Sequence, residues 1–383
     1  MSLISYCNTD YERVVVESYE ELGSSYKVAE ALGKDDRHMR KVFKRVKDRA
    51  ALRGYSPEND MTHTSPSTHV VKGTSTLYKD GEVALQWVKT DIKIEDQLKA
   101  IREAAESLFE QIEPRSMTNY MPECNDKLLN CYVITDYHLG MMAWHEETRG
   151  DDWDMEIAEN MLVDWFSSAM SQSPNSETAI LAQLGDFMHW DGMDAVTPSH
   201  GHVLDADTRF QKLVRVAIRS FVRIVDMLLQ KHNTVHILHA TGNHDLASSV
   251  WLREMFDIYY SNEPRVIVDN SADCYYCHEH GLTSLFFHHG HKRKVANISG
   301  VFAAKFRDIF GRTKFSYGHM GHLHSKDVKE DGLMIIEQHQ TLAAPDAYAS
   351  SGGWISQRSA QCITYHKDYG EVSRIRITPD MLK

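Results

Sequence analysis

Thr241-Gly242-Asn243-His244-Asp245 follows the apolar run Val235–Ala240, and this junction decides the fold class. A short apolar run that breaks into a polar, Gly-containing turn reads as a buried strand ending in a functional loop. The same pattern recurs four times. Leu129–Thr135 leads into Asp136-Tyr137-His138, and Ala179–Leu184 into Gly185-Asp186-Phe187. Leu285–Phe287 leads into His288-His289-Gly290-His291, and Phe315–Tyr317 into Gly318-His319-Met320-Gly321-His322-Leu323-His324. In a parallel sheet the loops after strand ends leave from one edge, so these five groups can converge.

Working outward, the pattern predicts strands at 129–135, 178–184, 234–240, 283–288, 314–318, 333–338, 360–366 and 371–377. Helices are expected at 155–172, 205–232, 247–260 and 294–311. Strands alternating with helices, followed by a strand-rich end, make 128–383 a layered α/β domain.

The residue types in the five loops point to metal chemistry. Asp, His and neutral Asn are hard-to-borderline ligands that suit Mn²⁺, Fe or Zn²⁺ and offer no thiolate. The chain holds 22 His, concentrated after residue 136, so the ligand supply lies where the loops are. A carboxylate can bridge two metals about 3.5–4 Å apart. Two divalent ions against two Asp leave the site cationic, so it attracts a phosphate and activates a nucleophile at neutral pH.

The ordered set DxH, GD, GNHD, HGH and GHLH over about 130–325 resembles the calcineurin-like metallophosphoesterase superfamily. The resemblance implies a fold of two packed β-sheets flanked by helices, and two divalent metal ions, with Mn²⁺ the first choice. It implies that Asp136, His138, Asp186 and His324 bind the first metal. Asp186 would bridge to the second, held also by Asn243, His289 and His322. His244 would be the general acid outside the ligand set, with Asp245 orienting it. His288 and His289 are both candidates for the fourth motif's ligand; His289 is chosen because the family ligand immediately precedes Gly-His. His291 then lies near the metals and is a candidate substrate contact. His319 reads as a surface residue or one supporting the ligands.

One motif departs from the family pattern. Where GDxxD or GDxxE is common, this chain has Gly185-Asp186-Phe187-Met188-His189-Trp190-Asp191. His189, Trp190 and Asp191 either line the substrate cleft or form a structural loop. Weaker features are Cys274-Tyr275-Tyr276-Cys277, half of a zinc site at most, and two loops able to cover an active site, one with His200 and His202, one with Trp354.

The N-terminal region differs in kind. A helix is expected over 10–21, a second from Ser24 or Ser25 to Gly33, and a third over 37–52, which together read as a helix-turn-helix domain over 1–57. Between Ser24 and Ser56 ten basic residues face four acids, a charge of +6 on a chain whose net charge is −12. Arg37, Arg40, Lys41, Lys44 and Arg45 on the third helix are the candidate DNA contacts, the alternative being a solvated helix face. Residues 58–127 read as linker, a hairpin around Asp80-Gly81, and a connecting amphipathic helix over 92–113.

Composition narrows the rest. At 42% hydrophobic and 25% charged residues, the chain is neither disordered nor collagen-like. Six irregularly spaced Cys point to free thiols in a reducing compartment. The N-terminus carries no apolar signal segment and no run of about 18 apolar residues occurs, so a cytoplasmic protein is expected. The arrangement looks like metallophosphoesterases encoded on phage genomes, which would place it in a host cytoplasm. The expected function is a phosphodiesterase, first of all a DNA nuclease guided by the helix-turn-helix domain. The alternative is a phosphatase or diesterase acting on nucleotides or phosphoprotein, with the N-terminal domain as a docking module. Dimers occur among related nucleases, which leaves room for a homo-oligomer.

Overall fold

Thr9 opens the first helix, α1 (Asp10–Leu22), accepting the Glu12 N–H at 3.2 Å, and Gly23 ends it at φ 65°. Helix α2 (Ser25–Leu32) ends at Gly33, also left-handed, and α3 (Asp36–Leu52) begins where the Asp35 carboxylate accepts the His38 N–H. Both stops use the residue that tolerates positive φ. Val15, Val28, Ala29, Met39 and Val42 form the core between these helices. The buried Glu12 carboxylate fastens it, accepting from Arg49 at 2.8 and 3.1 Å, with Arg45 at 3.8 Å. Strands β1 (His69–Lys79) and β2 (Glu82–Ile92) pair antiparallel, and β1 contacts α3.

The structure, a computed structural model, describes residues 2–59, 61, 69–79, 82–92, 115–118, 120–198 and 201–383. The expected helix over 92–113, beyond Ile92, lies outside these residues, as do Asp80, Gly81, His200 and most of the linker. The chain divides into two units, Met1–Glu106 and Ser107–Lys383. The helices and the hairpin strands both fall in the first.

The second unit holds two sheets. The six-stranded sheet runs β13 (Gly370–Ile377), β12 (Ala360–His366), β3 (Asn125–Ile134), β4 (Ser176–Gln183), β5 (Thr234–His239), β6 (Val266–Val268), and its members β3 to β6 are parallel. The five-stranded sheet runs β10 (Asp327–Glu330), β11 (Ile335–Gln338), β9 (Phe315–Met320), β8 (Thr283–His288), β7 (Tyr276–His280), with β11, β9 and β8 parallel.

Alternation along each strand explains the layering. Leu129, Cys131 and Val133 of β3 face Leu285, Phe287 and Tyr365 between the sheets. Tyr132 and Ile134 face the other way, into a core with Trp165, Phe166, Phe221 and Phe256. Those come from α5 (Met155–Gln172), α6 (Phe210–Lys231) and α7 (Leu246–Tyr259), which follow the four-residue α4 (His145–Thr148). On the far face of the second sheet, Val295, Ile298 and Phe302 pack on Phe286 and Ile336. The result is the expected mixed α/β architecture, two packed sheets flanked by helices.

Two expected helices are shorter or broken. Helix α6 begins at Phe210, not 205, because the preceding residues tie down a neighbouring loop. Met142 N–H donates to Asp205 O at 3.0 Å, and Asp207 N–H to Gly140 O at 2.9 Å. The expected helix over 294–311 is a 3-10 turn (Val295–Asn297), α8 (Ser299–Lys305) and α9 (Arg307–Arg312), followed later by α10 (Ala347–Ser351). Among the described residues, no helix is long and apolar enough to cross a membrane.

Candidate metal centre

All five motif loops leave the same edge of the two sheets, and their polar side chains meet there. Asp136, His138 and His324 bring ligand atoms within 4.8 Å of one another, and so do Asp136, Asp186, His289 and His322. Asp136 is common to both groups. The resemblance implies Asp186 as the bridging carboxylate, and Asp186 stands in the second group beside Asp136. The Asp186 carboxylate is committed on both sides: Oδ1 accepts the His244 N–H at 2.8 Å, and Oδ2 lies 3.1 Å from His289 Nε2. Asp136 Oδ2 accepts from His322 N–H at 2.8 Å and Thr135 Oγ1 at 2.5 Å, while its buried Oδ1 has no hydrogen-bond partner.

Backbone geometry marks the same residues. Six described non-Gly residues have positive φ, and five are Asp136, His138, Asp186, His322 and His324, at 47° to 78°. Each such residue costs on the order of 1 kcal/mol or more. The total rivals the roughly 5–15 kcal/mol net stability of a protein, so the surrounding fold must impose these conformations. Two glycines allow the loops to close. A Cβ on Gly242 would overlap Asp186 Oδ1, and one on Gly321 would overlap Thr135 Oγ1.

The donor set fits a metal. His289 Nδ1 donates to Leu184 O at 2.8 Å, which turns its Nε2 toward Asp186 and toward Asn243 Oδ1, 3.1 Å away. A backbone carbonyl fixing one ring nitrogen is how ligand imidazoles are oriented. His138 Nε2 and His324 Nε2 lie 3.3 Å apart. Burial alone would raise the Asp136 carboxyl, but the imidazoles of His324 and His289 outweigh it and hold it below the usual range. Burial and the neighbouring imidazoles of His244 and His189 keep the His138 ring well below its usual value, so it stays a neutral lone-pair donor. A buried carboxylate oxygen 3.3 Å from His324 Nε2 and ringed by further imidazoles is a donor set that fits divalent cations. His288 is in neither group: its Nδ1 accepts the Gly290 N–H at 2.8 Å, and its ring stacks on Tyr275.

Several sequence-based roles need correction. Asp245 does not touch the His244 ring. It is fully buried, and its carboxylate accepts the N–H groups of Phe187 at 2.7 Å, Gly242 at 3.1 Å and Asp186 at 3.2 Å. Burial beside Asp186 and Asp191 pushes its carboxyl upward, and the His289 ring and the Phe187 N–H pull it only part of the way back. It therefore shapes the turn that presents Asp186. The His244 ring is held instead by His189 O, 2.8 Å from its Nδ1. Trp190 does not line a cleft: it is 1% exposed and packs on Gly140. Asp191 caps α7, accepting Ala247 N–H at 2.5 Å and Ser248 N–H at 2.7 Å. His319 is no surface residue. It sits in the core, bonded to His339 at 2.9 Å and Tyr365 Oη at 3.0 Å.

His189 does join the centre. Its Nδ1 lies 3.1 Å from His138 Nδ1, its Nε2 is buried without a partner, and His138, His189 and His244 form a third group with ligand atoms within 4.8 Å. His291 stands at the rim, half-buried, its ring 5.3 Å from that of His289. Thr135 is a site residue that sequence reasoning passed over; its place directly before Asp136 was the available signal. Cys274 and Cys277 are free thiols and join none of the candidate metal groups found among the described residues.

Arg37, Lys41, Lys44 and Arg45 are exposed on α3, far in sequence from this centre. Arg40, also exposed, is paired with Asp36 one turn earlier.

No family model matches the chain, and no curated protein matches it. Among solved structures it is similar to Yfce, a phosphoesterase from E. coli, at 12% identity over 64% of this chain and 98% of that one, TM-score 0.30. It is similar to an archaeal phosphodiesterase at 12% identity over 65% and 99%, TM-score 0.31. Vacuolar protein sorting 29 from Cryptosporidium parvum is similar at 12% over 67% and 100%, TM-score 0.31. At these values nothing about this chain's chemistry follows from the likenesses.

Proposed function

We propose that this chain is a metal-dependent phosphodiesterase that cleaves DNA, with its N-terminal helices supplying contacts to the duplex. The observation that carries the reading is the pair of ligand groups sharing Asp136, because two adjacent cation sites with a common carboxylate suit phosphoryl transfer. Asp136, His138 and His324 would hold one ion; Asp136, Asp186, Asn243, His289 and His322 would hold the other. Two such ions, Mn²⁺ first among them, supply Lewis-acid stabilisation of the phosphoryl oxygens and a nucleophile at neutral pH.

The chain's own residues supply position and protons. The carbonyl of His189 holds His244 Nδ1, leaving Nε2 to donate a proton to the departing oxygen. Asp245 fixes the backbone of Asp186, Phe187 and Gly242, and Asp191 fixes the start of the helix after His244. On α3, Arg37, Lys41 and Lys44 have no ion-pair partner among the described residues. They sit at the exposed start and middle of the second helix of a helix–turn–helix pair, the position from which basic side chains reach DNA phosphates or base edges.

The test is Mn²⁺-dependent cleavage of labelled single- and double-stranded DNA, with Asp186→Asn and His244→Ala as controls. Cleavage by the unsubstituted chain, lost in both variants, supports the nuclease. Hydrolysis of small phosphoesters without DNA cleavage would refute it and recast the N-terminal helices as a docking module.

A further inference from the structure

Lys292, Arg293 and Lys294 directly follow His291, and all three are exposed. Among the described residues none of them has an ion-pair partner. Three adjacent like charges repel one another and bring no local compensation.

The loop that carries them is fixed at both ends. Upstream, His289 stands in the metal centre, and Gly321 N–H donates to His289 O at 2.7 Å. Downstream, Val295 and Ile298 are buried in the core outside the second sheet, and Asn297 N–H donates to Lys294 O at 3.0 Å. The three residues from His289 to Lys292 span at most about 11 Å. That tether keeps Lys292 close to the centre, with Arg293 and Lys294 one and two residues further out. The Nδ1 of His291, the residue just before the three cations, is buried with no hydrogen-bond partner, and its ring lies 5.3 Å from that of His289. One phosphate needs one such cation; three in a row match a chain of regularly spaced phosphates, which a nucleic acid backbone provides and a small phosphoester or a single phosphorylated side chain does not.

We propose that the loop Lys292–Lys294 grips the backbone of a polynucleotide strand next to the scissile phosphate, making this centre selective for polymeric over small diesters. This rests on the phosphodiesterase reading.

The experiment uses the full chain in an Arg37→Ser/Lys41→Ser/Lys44→Ser background, which removes the N-terminal contribution. Binding of a fluorescent eight-nucleotide single strand is measured in EDTA from 50 to 200 mM salt, with and without Lys292→Ser/Arg293→Ser/Lys294→Ser. Turnover of that strand and of bis-p-nitrophenyl phosphate is measured separately with Mn²⁺. Loss of three contacts should lower the slope of log affinity against log salt by about 2 and weaken binding at 50 mM salt at least tenfold. Lys292→Arg/Lys294→Arg should bind within about threefold of its parent. Cleavage of the strand should fall at least tenfold more than hydrolysis of the small diester. An unchanged slope and affinity, or no strand binding by the parent, overturns the grip. Failure of every chain to hydrolyse the small diester counts against the phosphodiesterase reading alone, since binding is read without turnover.

Discussion

His138 Nε2 and His324 Nε2 lie 3.3 Å apart, and His324 Nε2 is also 3.3 Å from the buried Oδ1 of Asp136. Two imidazole nitrogens at that distance cannot both carry protons without repulsion, and a cation relieves all three groups at once. Added Mn²⁺ should therefore raise the thermal midpoint, by the equivalent of about 2.7 kcal/mol at a hundredfold excess over Kd. EDTA should reverse it. Calorimetry with and without metal reads this; a midpoint indifferent to every divalent metal would sink the proposed centre.

Asp136 belongs to both ligand groups, whereas Asp186 belongs to one. Asp136→Asn should abolish binding of both ions, and Asp186→Asn should leave one of them measurable. Titration calorimetry with Mn²⁺, scored as ions per chain, distinguishes the two. The reverse pattern, both ions lost with Asp186→Asn and one kept with Asp136→Asn, would return the bridging place to Asp186.

Asp191 caps the helix that follows His244 and Asp245. Asp191→Ala should cost about 0.5–2 kcal/mol and lower kcat, with metal content retained. Denaturant unfolding and metal analysis check this. Lost metal would mean that the residue does more than hold the helix.

Gly242 leaves no room for a side chain against Asp186. Gly242→Ala should displace that carboxylate, so the protein stays folded by circular dichroism but binds metal at least tenfold more weakly. Unaltered metal affinity would show that the loop yields at no cost.

Glu12 ties α1 to α3 through Arg49, whose hydrogen bond holds its carboxyl at about 2, below the ordinary 4.5. A depressed value in the folded state means stabilisation present above about 4.5 and lost as pH falls toward 2. Glu12→Gln should remove that pH dependence and cost roughly 1.5–3 kcal/mol, the range for a hydrogen bond to a charged group. Unfolding of the full chain followed at Trp-silent wavelengths between pH 2 and 7 would show it; an unaltered acid limb would contradict the pairing.

Much of this was legible in the chain because strands and ligands follow local rules. Ala360–His366 and Thr283–His288 sit where the sequence pattern places them, since each centres on a short, largely apolar run bounded by polar residues. Helix Met155–Gln172 matches because Met155, Ala158, Leu162, Trp165 and Ala169 recur at three- and four-residue steps on its buried face. Strands Val266–Val268 and Asp327–Glu330 went unassigned because three or four residues carry no periodicity of their own and exist through pairing with a neighbour. The burial of His319 was not legible, because a motif says nothing about which side of a strand a residue faces.

The sequence by itself determined the kinds of ligand, their order and their place at strand ends, because a strand that buries both faces can carry polar chemistry only where it stops. Tertiary structure alone decided which histidines face the centre and which serve the core. His322 meets Asp136 across 186 positions, a contact set by how the two sheets stack, and no local pattern encodes that. The same packing turned Asp245 away from His244 and gave Asp191 to a helix end, since a buried carboxylate goes where backbone N–H groups lack partners.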